Sequence, residues 1–211
     1  MRPFTITAAL LAAALVSGCS VFGGAAAPEP GYRAVVSEPP FEIRHYPALT
    51  VARTQAAGPR DDAVDTGFRR LFDYIRGANL PAEDIPMTAP VITEPAGREI
   101  PMTAPVITQE RGEAWQVMFV LPPETNARDA PRPTDPDVEI DTLPARRVAV
   151  VRFNGFLDAE NIAAQRRRLA GWLDSRGEQP AGPWQAAGYN PPWTLPWLRR
   201  NEVMVPVAGP Q

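Results

Sequence analysis

A nine-residue segment that occurs twice without change limits the folds available to this chain. Residues 85–93 and 100–108 both have the sequence Ile-Pro-Met-Thr-Ala-Pro-Val-Ile-Thr, with a spacing of 15 residues. Pro95, Ala96 and Gly97 between the copies favour a turn, so the copies are expected to pair as the arms of a β-hairpin, with a positive φ at Gly97. Because prolines cannot donate hydrogen bonds to a neighbouring strand, we expect an irregular hairpin near the rim of a sheet.

The rest of the chain alternates between strand and helix periodicity. Apolar residues at helical spacing predict one helix over residues 61–77 and a second over residues 158–177. Strands are predicted at residues 41–46, 49–54, 115–121, 138–140, 147–153 and 201–207. Strand and helix recur in the same order in each half. The pattern therefore predicts an α+β fold, a pseudo-duplicated domain with both helices packed on one antiparallel sheet or open barrel.

The first 18 residues have the pattern of a cleaved export signal. Arg2 precedes an apolar run of 13 residues, whereas a permanent membrane span needs about 20. Val-Ser-Gly then precedes Cys19, which is the single cysteine of the chain. This order resembles the lipobox of bacterial lipoproteins, in which the cysteine becomes the lipidated first residue. By the same resemblance, Ser20 favours an outer-membrane anchor that faces the periplasm.

Composition gives the expected domain limits. We expect a signal peptide at residues 1–18, a lipidated N-terminus and flexible linker at 19–40, and one folded domain at 41–207. The linker is predicted because residues 20–40 are rich in Gly, Ala and Pro and have no apolar period. The net charge of −3 argues against nucleic acid as a partner, since binding it takes a clustered basic surface.

Seven short motifs, in order, resemble the SOUL family of haem-binding proteins. They are Phe-Glu-Ile-Arg-His-Tyr at 41–46, Thr-Gly-Phe at 66–68, Met-Thr-Ala-Pro-Val at 87–91, Pro-Arg-Pro at 131–133, Val-Ala-Val-Val-Arg-Phe-Asn-Gly at 148–155, Ala-Gly-Tyr-Asn at 187–190 and Asn-Glu-Val at 201–203. Their order and spacing hold over residues 40–207. The resemblance implies a distorted antiparallel β-barrel flanked by two helices and built from two similar halves.

The resemblance also implies a cofactor, because members of the family are described as binding haem and related tetrapyrroles reversibly. His45 is the only histidine and lies where some members have a proposed axial ligand. Strand alternation puts it on one face with Phe41 and Ile43. The alternative is a strand histidine that forms hydrogen bonds at the edge of the barrel.

Other side chains are candidates for the apolar and charged parts of such a site. Met87 and Met102 occupy equivalent places in the repeat and are expected either to line a groove, to pack in the core, or to bind iron through sulfur. Phe68 and Phe72 are candidates for porphyrin contacts or for the core. Three cations are candidate partners for the haem propionates: Arg44, Arg69 and Arg70.

Three tryptophans, Trp184, Trp193 and Trp197, fall in one proline-rich stretch. This stretch is predicted to be a loop packed on the barrel, a loop at the headgroup layer of a membrane, or a lid over a ligand groove.

The expected function is a cell-envelope lipoprotein that binds haem or a related tetrapyrrole for carriage, buffering or delivery. With one histidine and one cysteine, the chain cannot form a His/Cys zinc site or a Cys-His dyad. A small-molecule hydrolase of the wider effector-binding superfamily is the alternative, and a polar groove with a buried carboxylate would favour it. A structural or interaction lipoprotein is the third, which a filled barrel would favour.

Overall fold

The computed structural model of the protein describes residues 27–80 and 97–208. The described residues form eleven strands, two long helices and one 3₁₀ turn. In chain order they are β1 (Arg33–Glu38), β2 (Phe41–Tyr46), β3 (Leu49–Ala57), α1 (Arg60–Ile75), β4 (Asn79–Leu80), β5 (Val106–Arg111), β6 (Ala114–Val120), β7 (Arg132–Pro133), β8 (Val138–Leu143), β9 (Arg146–Phe153), α2 (Ala159–Ser175), β10 (Gln185–Gly188), the turn Pro196–Leu198 and β11 (Asn201–Pro206).

Nine of the strands form one curled antiparallel sheet. Their order is β1-β2-β9-β11-β10-β5-β6-β3-β8, and β4 pairs with β7 in a separate two-stranded sheet. The two helices pack on two parts of the large sheet, α1 on β3 and β6 and α2 on β9 and β11. The predicted α+β fold, an open barrel flanked by two helices, is therefore confirmed. Among the described strands, β1 and β8 are the two edges.

Helix α1 forms where the sequence predicts it, with a different start. Asp61 and Asp62 lie in its first turn, where their negative charges interact favourably with the positive end of the helix dipole. The residue that precedes the helix is Pro59. Gly67 faces the sheet, where a Cβ would lie 2.5 Å from Cγ2 of Val117. Glycine therefore allows α1 to approach β6 closely.

Helix α2 begins at Ala159, one residue after the predicted start, and Asp158 is its N-cap. The Asp158 carboxylate caps it by accepting a hydrogen bond of 2.8 Å from the backbone N–H of Asn161. Leu169 and Leu173 are fully buried against the sheet, and Trp172 stacks on Phe41 with ring centroids 5.2 Å apart. Phe41 and Ile43, on one face of β2, are thus covered by α2.

The predicted linker is wrong for its last residues, because residues 33–38 form β1. This strand pairs with β2 from Arg33 opposite His45 to Glu38 opposite Phe41, with a bulge between Ala34 and Val36. Its side chains are mostly exposed, so the strand carries no apolar periodicity that would reveal it. The folded domain therefore begins before residue 41.

The repeat is only partly covered by the described residues. Residues 85–93 lie outside them, so pairing between the two copies remains a prediction. The second copy does not lie at the rim of the sheet, since β5 is hydrogen-bonded on both sides, to β6 and β10. Pro101 and Pro105 precede this strand, and for that reason they remove none of its ladder hydrogen bonds.

Gly97 lies at a close backbone contact that the sequence did not predict. The positive φ predicted for it depends on the position of Ala96, which lies outside the described residues. A Cβ at position 97 would lie 1.7 Å from the carbonyl oxygen of Gly77. Position 97 is therefore glycine because two backbone segments pass in contact.

Candidate functional site

A groove of about 450 Å³ lies beside the C-terminal half of α1. Its walls are mainly apolar, and Met102 is 38 % exposed. The lining residues are Phe72, Ile75, Arg76, Glu99, Ile100, Pro101 and Met102. Cavities of about 300–1,000 Å³ with mostly apolar walls and a few polar groups are typical small-molecule sites.

An aromatic stack supports one wall of this groove. Phe68 lies one helical turn before Phe72, and their rings are stacked with centroids 5.9 Å apart. The Phe68 ring also forms an edge-to-face pair with the ring of Phe119 in β6, and their centroids are 5.3 Å apart. Both Phe68 and Phe72 are only partly buried. Helical spacing therefore presents one ring to the groove and anchors it through the other.

The structure brings together three of the predicted site residues, leaves one apart, and does not describe the other two. Phe68, Phe72 and Met102 belong to the α1 groove and its support. Met87 lies outside the described residues, as does Cys19. His45 is exposed on β2, on the part of the sheet that packs against α2, between Arg33 and Arg147 of the neighbouring strands.

The alternation predicted for β2 is confirmed. Ile43 is fully buried under α2 and Phe41 stacks on Trp172, so both lie on the α2 side with His45. Arg44 and Tyr46 are buried on the other face, inside the barrel. The apolar residues on the same face as His45 therefore pack against α2.

The carboxylate of Glu202 is buried inside the barrel. Strand periodicity alone did not distinguish it from a solvated carboxylate. Glu202 of β11 is 0 % exposed and is gripped by Arg44, whose Nη1 and Nη2 donate to its two oxygens at 2.8 and 3.0 Å. Arg200 donates to Oε1 through Nη2 at 2.8 Å, and the Tyr189 hydroxyl donates to Oε2 at 2.6 Å. Two guanidinium groups therefore share one buried carboxylate.

The charges of this cluster determine its protonation. Burial alone would raise the pKa of Glu202, but its hydrogen bonds with Arg44 and Tyr189 and the charges of Arg44 and Arg200 outweigh burial and lower it. The pKa of Tyr189 is raised well above its ordinary value, by burial first and then by the neighbouring Glu202 charge. Glu202 is accordingly ionised at neutral pH, and its oxygens are occupied by donors.

A short N-terminal segment, residues 27–31 and here called the strap, lies next to this cluster. The carboxylate of Glu29 accepts hydrogen bonds of 2.9 Å from Nη1 of Arg200, and the Pro28 carbonyl accepts one of 2.9 Å from the backbone N–H of Ala104. The strap also lines a cavity of about 560 Å³ with the β2–β3 turn and residues 120–127. The strap belongs to the predicted linker, whose composition gives no sign of these contacts.

The cations predicted to meet propionates are mostly engaged elsewhere. Arg44 is buried on Glu202, and Arg70 pairs with Asp137 at 2.9 Å. Arg69 bonds the backbone of its own helix at Asp65, at 3.3 Å. Arg76, which was not predicted, lines the groove with its guanidinium 5.5 Å from the centroid of Phe72. The signal was available, because Arg76 follows Phe72 by four residues at the C-terminal end of α1, a spacing that brings two side chains together.

Two negative observations concern the described residues alone. Within residues 27–80 and 97–208, no helix is both long and apolar enough to span a membrane. In the same ranges, no group of three or more His, Cys, Asp and Glu side chains is arranged to hold a metal ion.

Solved structures share this architecture at low sequence identity. The C-terminal domain of EcmrR is 12 % identical with a TM-score of 0.55, covering 85 % of this chain and 99 % of that domain. A hydrolase from Listeria innocua is 8 % identical with a TM-score of 0.56, covering 82 % of this chain and 94 % of that one. At such identities the similarity concerns the fold alone.

Similarity in sequence is closer to proteins named for haem. Human heme-binding protein 2 is 34 % identical over 182 residues, which cover 82 % of this chain and 83 % of the human protein. A family model described as SOUL heme-binding protein matches residues 27–98 and 94–206, and so includes both β1 and the strap. The chain therefore belongs to the SOUL heme-binding protein family.

Proposed function

We propose that this protein binds haem or a related tetrapyrrole reversibly in the groove beside α1. The observation that carries the proposal is the joint presence there of an aromatic wall, an accessible thioether and a guanidinium group. Phe72, Met102 and Arg76 supply these three chemistries. Membership of the family supports the same ligand class, since its model and the human relative are both named for heme.

The residues of the groove fit such a ligand. Phe72, Ile75 and Ile100 give an apolar surface for a porphyrin face, and Arg76 gives a cation for a propionate. Haem iron takes its axial bonds from side chains such as His, Met, Cys or Tyr, and Met102 has the only such side chain among the described lining residues. A porphyrin held on one open wall would exchange readily, which suits carriage, buffering or delivery.

We further propose that the protein is exported and anchored by acyl chains on Cys19, in the outer membrane on the periplasmic side. The support is the short apolar run followed by Val-Ser-Gly-Cys at residues 16–19. Two or more acyl chains give stable anchoring, whereas one is marginal. This anchor would hold the tetrapyrrole site in the cell envelope.

The other two functions have less support. A hydrolase would need a carboxylate free to act as a base, whereas both oxygens of Glu202 accept hydrogen bonds from Arg44. A filled barrel was expected for an interaction protein that has lost its ligand, and the described interior is indeed packed with apolar residues around Glu202. However, the α1 groove lies outside the barrel, so a filled interior leaves it open.

A haem titration followed by absorbance tests the proposal. The chain from Cys19 onward keeps the strap, which a shorter domain lacking residues 1–30 would lose. We expect saturable binding at micromolar haem. Met102→Leu conserves volume but removes the sulfur, so it should shift the Soret band without changing affinity for iron-free protoporphyrin. Phe72→Ala should lower the affinity for both haem and protoporphyrin by about tenfold or more, because one aromatic contact is lost.

His45→Ala serves as the matched comparison for the iron ligand. If Met102 is the ligand, this variant should keep the wild-type spectrum and affinity. If the spectrum shifts in His45→Ala but not in Met102→Leu, the iron ligand is His45 on β2 and not Met102. Absence of binding by the wild-type chain to both haem and protoporphyrin would refute the proposed function.

A further inference from the structure

Three large apolar side chains are exposed on two neighbouring loops. Phe156 follows β9, whereas Trp193 and Trp197 lie in the loop between β10 and β11. Their exposed fractions are 55, 64 and 67 %, the three highest among the exposed large hydrophobic residues of the described chain. These loops therefore present aromatic surface that the fold itself does not cover.

Hydrogen bonds tie the two loops into one platform. The backbone N–H of Gly155 donates to the carbonyl of Pro196 at 2.9 Å, and the Asn154 side chain donates to the carbonyl of Arg199 at 2.8 Å. Arg199 in turn donates to the carbonyl of Thr194 at 2.8 Å and lies 5.3 Å from the Phe156 ring. The aromatic side chains are thus displayed on a fixed backbone.

The N-terminal strap brings the start of the domain to the same place. Glu29 is paired with Arg200, and Arg200 closes the tryptophan loop because its N–H donates to the Asn190 side chain at 2.7 Å. Only seven residues separate Cys19 from Ala27, the first described residue. Even fully extended, that stretch spans no more than about 28 Å. An anchor at Cys19 would hold this platform close to the bilayer.

We infer that Phe156, Trp193 and Trp197 form a membrane-docking surface that inserts into the headgroup layer of the membrane carrying the anchor. The occupant is a phospholipid surface because the tether ends beside the platform and because tryptophan is favoured at the boundary between headgroups and acyl chains. The inference rests on the anchor part of the proposed function and is independent of haem. Docking would fix the orientation of the domain, which an acyl tether alone leaves free.

Quenching of tryptophan fluorescence by bromine-labelled phospholipids tests the inference. Because Cys19 is the only cysteine, the chain from Cys19 onward can be attached through its thiol to vesicles that contain a maleimide phospholipid. This attachment does not depend on acylation in the cell. Vesicles with bromine atoms near the headgroup end of the acyl chains should quench the emission. Trp193→Ser with Trp197→Ser should abolish that quenching.

Trp172→Phe is the matched control, since it removes a tryptophan that stacks on Phe41 beneath α2 and should leave the quenching unchanged. Emission from the attached wild-type chain that is insensitive to bromine would overturn the inference. The same conclusion would follow if the two tryptophans were protected by self-association, seen as a larger sedimentation coefficient that the double variant loses. Acyl labelling of Cys19, measured separately in cells, reports failure of the anchor and not of docking.

Discussion

At the scale of single residues, the fully buried carboxylate of Glu202 is stabilised by partners inside the barrel. An isolated ion inside a protein is unfavourable by several kcal/mol, and close partners must offset that cost. For Glu202 these partners are Arg44, Arg200 and Tyr189, and Arg200 also stacks on the Tyr189 ring at 3.9 Å. Without the Glu202 charge, Arg44 and Arg200 would each keep only one partly exposed carboxylate as a partner.

Glu202→Gln should therefore lower the free energy of unfolding at pH 7 by about 3 kcal/mol or more. The lowered pKa of Glu202 in the folded state sets the pH dependence. Its contribution is fully present above the ordinary glutamate pKa of about 4.3 and is lost as pH falls through the lower folded value. The difference between wild type and variant should hence shrink in acid, as measured by urea unfolding at several pH values.

Glu139→Gln provides the control for this prediction. Glu139 pairs with Arg53 at 2.9 Å, but its side chain is 64 % exposed. Surface pairs of this kind contribute about 0–1 kcal/mol. Equal losses of stability in the two variants would show that the buried cluster is not special.

Strand periodicity predicts on which face of its strand each of these side chains lies, but it does not predict their partners. Alternation along β2 correctly separated Arg44 from Ile43, yet nothing in the local pattern joins Arg44 to Glu202, 158 positions away. The same limit applies to Arg200 and Glu29. Helical spacing, by contrast, is a local signal, and it did identify Phe68 and Phe72 as neighbours.

At the scale of elements, the close contact between α1 and β6 depends on Gly67. Gly67→Ala would gain about 1 kcal/mol of helix propensity. However, the new Cβ would lie 2.5 Å from Val117 Cγ2 and 2.9 Å from Val117 Cβ, and such overpacking costs about 1–3 kcal/mol. We expect net destabilisation, seen as a lower midpoint in thermal unfolding.

Gly171→Ala is the matched substitution in α2, because nothing beyond the adjacent backbone of the helix lies within 4 Å of the Cβ it would add. This variant should be more stable than wild type by about 1 kcal/mol. Opposite signs for the two glycines are the expected result. Stabilisation by both would mean that α1 can move away from the sheet at little cost.

The elements themselves were predictable where periodicity was strong. Both helices and strands β2, β6, β9 and β11 lie within a few residues of their predicted positions. Strand β1 was missed because its side chains are exposed, and the central position of β5 was missed because the prolines beside it suggested an edge. Pairing partners are set by contacts between distant segments, which composition does not encode.

At the scale of the whole molecule, the proposed anchor depends on one atom, the sulfur of Cys19. Cys19→Ser should abolish acyl labelling and leave either an uncleaved precursor or soluble protein. Metabolic labelling with a fatty acid and fractionation of the cells measure both outcomes. Trp184→Phe, a substitution far from the N-terminus, should leave labelling unchanged. Full membrane retention of Cys19→Ser would contradict the anchor.

The open sheet has a further consequence for how copies of this protein coexist. An unpaired edge strand offers a row of N–H and C=O groups to which another chain can add, and this is a route to aggregation. In β1 the bulge at Val35 interrupts that row, and in β8 Glu139 and Asp141 place charges along the other edge. A strand that docked on β1 would lose its register at the bulge. Many copies crowded on one surface would thereby remain separate molecules and would not join into a continuous sheet.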